Sequence, residues 1–135
     1  MTIKSSKELV NDALKEIKTI SHTEASKLHK DGSCNLIDIR DVRELEKEGR
    51  VEGSLHIPRG MLEFWIDPKS PYYKEFFNLN VTYIFYCASG WRSALAAKTA
   101  IEMGLSKVYH LDKGIAEWIK LNGPIERSIR KTNKI

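Results

Sequence analysis

The sequence is poor in cysteine, proline and histidine. It contains two cysteines, four prolines and four histidines among 135 residues. Two cysteines cannot supply the disulfide framework of a small secreted domain, so a reducing cytoplasm is the expected location. The histidines lack the paired spacing of metal ligands, so we expect no metal site and no cofactor.

Long apolar runs are also absent, and charge is not strongly of one sign. No apolar stretch approaches the length of a membrane span, and no apolar signal region follows the first lysines. The formal net charge is +4, and part of that excess lies near the C-terminus. This balance suits anionic small molecules, but it is too weak and scattered for a nucleic-acid-binding surface. The sequence therefore predicts neither membrane nor nucleic-acid contact.

The sequence does contain an alternation of short apolar runs and amphipathic segments. With 41% hydrophobic and 30% charged residues, it has the composition of one globular domain. An aromatic-rich segment over 60–80 is predicted to form two short helices around a turn. Helical patterns occupy residues 7–19, 21–32, 41–48, 93–103 and 115–121, and apolar runs predict strands at 35–39, 54–57, 81–86 and 107–111. Such alternation predicts an α/β fold with a mainly parallel sheet.

The same pattern divides the chain into three parts. We predict a helical N-terminal extension over residues 1–34 that packs on the domain, a core over 35–125, and a flexible basic tail over 126–135. Ligands of open parallel sheets bind at the carboxyl ends of the strands. Four residues follow or end predicted strands and are expected at one rim of the sheet, namely Asp38, Pro58, Cys87 and Asp112.

Cys87 lies between a predicted strand and a predicted helix. The first turn of a helix leaves unpaired N–H groups and a partial positive charge, which stabilise a thiolate and raise its nucleophilic fraction. Gly90 supplies the backbone freedom of a tight turn, and Ser93 can bond one of the free N–H groups. The pattern predicts cysteine chemistry on a small anion.

Four segments together resemble the rhodanese family of sulfurtransferases, specifically a single-domain member. They are 37–40 (IDIR) with Glu44, 49–54 (GRVEGS) leading to Ile57 and Pro58, the loop 87–92 (CASGWR), and Gly114 with Trp118, Gly123 and Pro124. The resemblance covers roughly residues 35–124. It implies a three-layer α/β/α fold with a central, mainly parallel sheet of about five strands, in which 35–125 is the catalytic core. Arg50, Glu52 and Lys113 depart from the family pattern, and Lys113 replaces the first of two glycines.

The resemblance implies a ping-pong reaction with covalent catalysis by Cys87. The thiolate attacks the outer sulfur of thiosulfate or a related anionic donor, sulfite leaves, and the Cys87 persulfide passes its sulfur to cyanide, a small thiol or a protein. Arg92 would bind the anionic end of the donor, and the loop amides would stabilise charge on the transferred sulfur. The implied substrate-binding residues are Ala88, Ser89, Gly90, Trp91, Arg92 and Ser93.

Several interpretations of single residues remain open at this stage. Arg59 follows a strand end and is either an anion-binding group of the site or a solvated surface arginine. Asp38 and Arg40 are expected to support the site as a structural ion pair rather than to act in catalysis. Cys34 has no loop around it and is expected to be inert. His110 lies in a predicted strand and is expected to be packed.

Two other functions compete with sulfur transfer. Phosphatases and arsenate reductases of the related cell-cycle phosphatase type share the fold implied here, but they need one more residue in the loop because a tetrahedral oxyanion is wider than one sulfur. Here four residues separate Cys87 from Arg92, which argues against phosphate. The remaining alternative is a non-catalytic binding or sulfur-sensing module, although this chain keeps Cys87, Gly90 and Arg92.

Overall fold

A computed structural model describes residues 2–77 and 80–127. From residue 128 onward, the predicted basic tail lies outside the described residues. The helices are α1 (Ser6–Glu16), α2 (His22–Lys30), α3 (Val42–Glu48), α4 (Leu62–Ile66), α5 (Trp91–Glu102) and α6 (Gly114–Lys120), with a 3-10 turn at Arg59–Met61. The strands are β1 (Lys18–Ile20), β2 (Asn35–Asp38), β3 (Arg50–Val51), β4 (Leu55–His56), β5 (Tyr83–Tyr86), β6 (Val108–Leu111) and β7 (Ile125–Glu126).

Five of the strands form one parallel sheet in the order β1-β6-β5-β2-β4. The other two, β3 and β7, form a separate antiparallel pair. The predicted α/β fold with a central parallel sheet of about five strands is therefore confirmed. No helix within residues 2–77 and 80–127 is long and apolar enough to cross a membrane.

Both faces of the central strand β5 are buried, as expected for a parallel sheet covered by helices on each side. Tyr83 and Phe85 belong to the apolar cluster beneath α1, α4 and α5. Ile84 and Tyr86 belong to the cluster beneath α2 and α6. This continuous burial explains why β5 appears in the sequence as an unbroken apolar run rather than as an alternating pattern.

The first strand corrects the sequence analysis. The helical pattern predicted over 7–19 ends at Glu16, and Lys18–Ile20 forms β1 at the edge of the central sheet. Ile17 has an extended backbone and ends the helix. Thr19 and Ile20 are β-branched, and pairing with β6 favours the strand over helix continuation. Residues 1–34 therefore contribute one strand to the sheet in addition to two helices.

The aromatic segment differs from its prediction as well. Among the described residues of this segment α4 is the one α-helix, preceded by the 3-10 turn, and those that follow it form turns and loops rather than a second helix. The Asp67 carboxylate accepts a hydrogen bond from the N–H of Lys69, and the Ser70 hydroxyl accepts one from the N–H of Tyr72. Such side-chain bonds to the local backbone compete with helix formation.

The topology places one crevice at the carboxyl edge of the sheet. The chain proceeds from β2 to β4 on one side, whereas it proceeds from β5 to β6 on the other. Strands whose connections leave in opposite directions open a crevice between them, and ligands of α/β sheets bind there. Asp38 ends β2 and Cys87 follows β5, so both lie at this crevice.

Candidate active site

The Cys87 sulfur lies under the first turn of α5. Its side chain is buried, and Sγ accepts hydrogen bonds from the N–H groups of Gly90 at 3.2 Å and Ser93 at 3.4 Å. These groups belong to the cap and first turn of the helix, where the helix dipole also favours negative charge. Two backbone N–H donors thus point at the Cys87 sulfur.

Gly90 makes this arrangement possible because it caps α5 with a backbone φ of +106°. A left-handed conformation is strained for residues with a Cβ and unstrained for glycine. The reversal at Gly90 turns its N–H toward the preceding cysteine. The predicted need for a glycine in this turn thus has a specific backbone cause.

A second helix holds the other side of the same loop. At the start of α6, the N–H of Ile115 donates to the Cys87 carbonyl at 2.9 Å, and the N–H of Ala116 donates to the Ala88 carbonyl at 3.2 Å. The two helix N-termini thus act on opposite parts of the loop. The start of α5 contacts the sulfur and the start of α6 contacts the backbone carbonyls.

This contact requires Gly114 to lack a side chain. Its φ is +60°, and an added Cβ would lie 2.4 Å from the Cys87 carbonyl oxygen and 2.6 Å from that of Ala88. Lys113 before it is also left-handed, with a φ of +61°, although it is not a glycine. Lys113 thus has a backbone conformation that glycine adopts without strain.

We expect Gly114→Ala to lower the free energy of unfolding by about 2 to 3 kcal/mol, because the methyl group collides with backbone and the conformation is strained. The same variant should also displace the Cys87 loop and lower the reactivity of Cys87. Chemical denaturation measures the stability change. Gly60→Ala is the matched control because its added methyl group meets nothing within 4 Å. Equal losses for both variants would contradict the close approach.

Arg92 links the loop to α3. Its guanidinium donates two hydrogen bonds to the Glu44 carboxylate, at 2.8 and 3.0 Å. This hydrogen bonding lowers the pKa of Glu44 and raises that of Arg92. Its side chain remains 43% exposed, so the guanidinium also faces solvent. The sequence analysis quoted Glu44 as part of a motif but did not foresee this pair.

Asp38 and Arg40 form a fully buried ion pair, with Nη2 and Oδ2 2.7 Å apart. The Arg40 guanidinium also donates to the Gly49 carbonyl at 2.7 Å and to the Glu48 carboxylate at 3.2 Å. The pair therefore ties the end of β2 to the end of α3. These contacts support the rim and do not involve the Cys87 sulfur.

The structure does not bring Arg59 to the Cys87 loop through its hydrogen bonds. Its guanidinium donates to Glu63 at 3.0 Å and to the Thr99 hydroxyl at 3.3 Å. Arg59 thus connects the 3-10 turn to α4 and α5. Its guanidinium is partly buried and bonded to α4 and α5, which matches neither the anion-binding group nor the solvated surface arginine considered from the sequence.

The loop borders a cleft of about 490 Å³ between α1 and the end of β6. Trp91 stands at this cleft with 61% of its surface exposed. The loop residues Ser89 and Gly90 line the same cleft, together with His110. Ala88 faces the opposite side, where it borders a second cleft beside α3.

His110 is the neighbour of the site that the sequence analysis assigned only to packing. Its Nδ1 lies 3.0 Å from the Ser93 hydroxyl, which in turn lies 3.6 Å from the Cys87 sulfur. Burial lowers the pKa of His110, and the charge of Asp112 opposes this shift. The sequence did contain a signal for this role, because His110 is a polar residue in an apolar strand and lies two positions before Asp112 at the rim of the sheet.

The second cysteine lies on the other side of the sheet. Cys34 packs in the cluster beneath α2 and α6, whereas Cys87 belongs to the cluster beneath α5. Burial raises the pKa of the Cys34 thiol to about 11. A thiol in this state is a poor nucleophile at neutral pH.

Comparison with known proteins gives a family match across most of the chain. A family model described as the rhodanese-like domain matches residues 21–121. Among curated proteins, the "Putative sulfur carrier protein YrkF" of Bacillus subtilis (strain 168) is 33% identical over 92 residues, which are 68% of this chain and 45% of that protein. The chain thus spans about half the length of this relative.

Solved structures share the fold. A protein of unknown function from Rhodopseudomonas palustris, described as a "Possible Tyrosine Phosphatase", is 47% identical with a TM-score of 0.89, covering 93% of this chain and 98% of that chain. The polysulfide-sulfur transferase homodimer of Wolinella succinogenes is 26% identical with a TM-score of 0.68, covering 96% and 92% of the two chains. With the family model spanning most of its length, this chain belongs to the rhodanese-like domain family.

Proposed function

We propose that the protein is a sulfurtransferase that carries sulfane sulfur as a persulfide on Cys87. The observation that carries this proposal is the buried Cys87 sulfur, which accepts hydrogen bonds from the N–H groups of Gly90 and Ser93. Donors fixed at the place where negative charge develops are effective in catalysis because they need no reorganisation. The sulfur carrier and sulfurtransferase names among the relatives support the same chemistry.

The proposed reaction has two displacement steps. The Cys87 thiolate attacks the outer sulfur of thiosulfate or a related donor, a new S–S bond forms, and sulfite leaves with the electron pair of the broken S–S bond. The acceptor then attacks the outer persulfide sulfur, so that cyanide becomes thiocyanate or a thiol becomes a hydropersulfide. Cys87 leaves as a thiolate, which restores the starting enzyme. A protein thiol is an equally suitable acceptor.

Steady-state kinetics test this proposal. A covalent intermediate that exists without the second substrate gives parallel lines in double-reciprocal plots of thiosulfate against cyanide or a thiol. Lines that intersect when the acceptor concentration is varied would overturn the two-step scheme. Absence of turnover with thiosulfate, polysulfide and persulfide donors would favour a non-catalytic binding or sulfur-sensing module.

Arg92 is proposed to bind the anionic end of the donor. We expect Arg92→Ala to lower kcat/KM for thiosulfate about tenfold, which corresponds to the loss of one charge-assisted hydrogen bond. Transfer from an uncharged persulfide donor should fall much less, because that donor has no sulfonate group for the guanidinium. The two specificity constants, measured side by side, give the comparison.

Glu44→Gln is the matched control for this prediction, because it removes the negative charge that neutralises Arg92 and keeps the side-chain length. We expect thiosulfate use by this variant to be unchanged or improved. Arg92→Ala could instead lower kcat/KM equally for both donors, or Glu44→Gln could be as impaired as Arg92→Ala. Either result would mean that the ion pair only holds the loop against α3.

Phosphate ester hydrolysis is the second candidate, favoured by the description of the Rhodopseudomonas palustris relative. The length of the loop argues against it. Four residues separate Cys87 from Arg92, one fewer than the cell-cycle phosphatases use. An aryl phosphate should therefore show no Cys87-dependent turnover.

A further inference from the structure

Three buried polar groups form a line behind the loop. The Cys87 sulfur lies 3.6 Å from the Ser93 hydroxyl oxygen, which lies 3.0 Å from Nδ1 of His110. The three residues come from the end of β5, the first turn of α5 and β6, and each is at most 3% exposed. Because all three are screened from bulk water, the hydrogen bonds among them decide which atom carries each proton.

The surroundings of Nε2, the other ring nitrogen of His110, determine which of the two nitrogens carries the ring proton. Nε2 is buried and has no hydrogen-bond partner among the described residues. A buried N–H donor without a partner is rarer and less favourable than an acceptor whose lone pair is unused. Burial also lowers the pKa of His110, so the ring is neutral near pH 7. Its single proton therefore belongs on Nδ1, facing Ser93.

We propose that His110 is a positioning residue that orients the Ser93 hydroxyl as a hydrogen-bond donor to the Cys87 sulfur. When Nδ1–H donates to the Ser93 oxygen, the hydroxyl proton is free to turn to the nearby sulfur. A thiol at Cys87 donates to the Ser93 oxygen at 3.6 Å, whereas a thiolate can only accept there. The thiolate then has the N–H groups of Gly90 and Ser93 as donors, and the proposed third donor is the Ser93 hydroxyl. This inference deepens the proposed function and relies on it only for what the thiolate does next.

Charged groups near the three residues also act on Cys87 and His110. Asp112 acts on His110 through its charge, and Arg92 interacts electrostatically with Cys87. Lys7 of α1 and Lys113 line the cleft beside His110. These four groups are unchanged in the variants below, so their contribution is common to every protein compared.

The test compares two amides at position 110. His110→Asn can place an N–H donor where Nδ1 is, whereas His110→Gln places one where Nε2 is. We measure the ultraviolet absorbance of the Cys87 thiolate against pH, as the difference between each full-length protein and its Cys87→Ser counterpart. No sulfur donor is present, so the result is independent of whether sulfur transfer occurs.

We expect the midpoint of this titration to rise by about one pH unit in His110→Gln and Ser93→Ala, and to stay near the wild-type value in His110→Asn. The double variant with Ser93→Ala and His110→Gln should shift no further than Ser93→Ala, because both changes remove the same donor.

Equal midpoints for His110→Asn and His110→Gln, whether shifted or not, would overturn the proposal in favour of simple packing. Additive shifts in the double variant would also overturn it. If His110→Gln does not fold, His110→Leu replaces it in the same comparison, with folding of each protein checked by circular dichroism.

Discussion

Sulfur transfer is expected to fall by roughly three orders of magnitude or more when Cys87 is replaced by serine. Serine keeps the size and hydrogen-bonding capacity of the side chain, but its hydroxyl is a much weaker nucleophile and cannot form a persulfide. The helix-terminal N–H groups that bond the sulfur would then bond an oxygen that does no chemistry. The rate of sulfur transfer from thiosulfate to cyanide or to a small thiol measures the loss.

Cys34→Ser is the control for that result. Cys34 lies on the opposite face of the sheet, and burial raises the pKa of its thiol to about 11. We therefore expect this variant to transfer sulfur at the wild-type rate. Retention of more than about a tenth of the activity in Cys87→Ser, or its loss in Cys34→Ser, would contradict the assignment of Cys87 as the nucleophile.

Removal of the Asp38 carboxylate is expected to have the largest effect on stability. Asp38→Ala leaves the Arg40 guanidinium fully buried without its main counter-charge, which costs about 3 to 5 kcal/mol. This is a large fraction of the stability of a small domain. Chemical denaturation of wild type and variant measures the difference, and circular dichroism shows whether the variant folds at all.

The chain offers a matched control in its exposed Lys4–Asp12 pair. Asp12→Ala removes the same side chain from an ion pair in water, where such pairs contribute little. We expect a far smaller loss of stability than for Asp38→Ala. A further test pairs Asp38→Leu with Arg40→Met, which should recover part of the loss because no charge remains buried. Equal effects at Asp12 and Asp38 would show that the buried pair has no special role.

The features that sequence reasoning predicted correctly share one property, which is that short-range patterns specify them. The apolar run at 81–86 contains β5, and the helical pattern at 93–103 overlaps α5, which begins two residues earlier at Trp91. The four-residue separation of Cys87 and Arg92 can be counted directly. Because these signals lie within one segment, the strand, the turn and the helix could be predicted without knowledge of the rest of the chain.

The features that were missed depend on distant segments. Strand β1 has only three residues and owes its conformation to pairing with β6. Likewise β3 and β7 have two residues each, and each is a strand because it pairs with the other. The contact of Arg92 with Glu44 joins residues that are 48 positions apart, and that of Ser93 with His110 joins residues 17 positions apart. No local periodicity marks such pairs.

Three long-range contacts therefore hold a loop that the sequence predicted only as a motif. The start of α6 bonds its carbonyls, Glu44 bonds Arg92, and His110 bonds Ser93. Positioning of this kind matters because a loop that must rearrange during reaction loses part of the benefit of its donors.

The most direct test of this account is the intact mass of the protein after incubation with thiosulfate and removal of excess donor. We predict a gain of one sulfur atom that localises to Cys87 on peptide mapping, is removed by cyanide or a thiol, and is absent in Cys87→Ser. The same gain should persist in Cys34→Ser. An unchanged mass with thiosulfate, polysulfide and persulfide donors, or a sulfur adduct that remains in Cys87→Ser, would contradict the account.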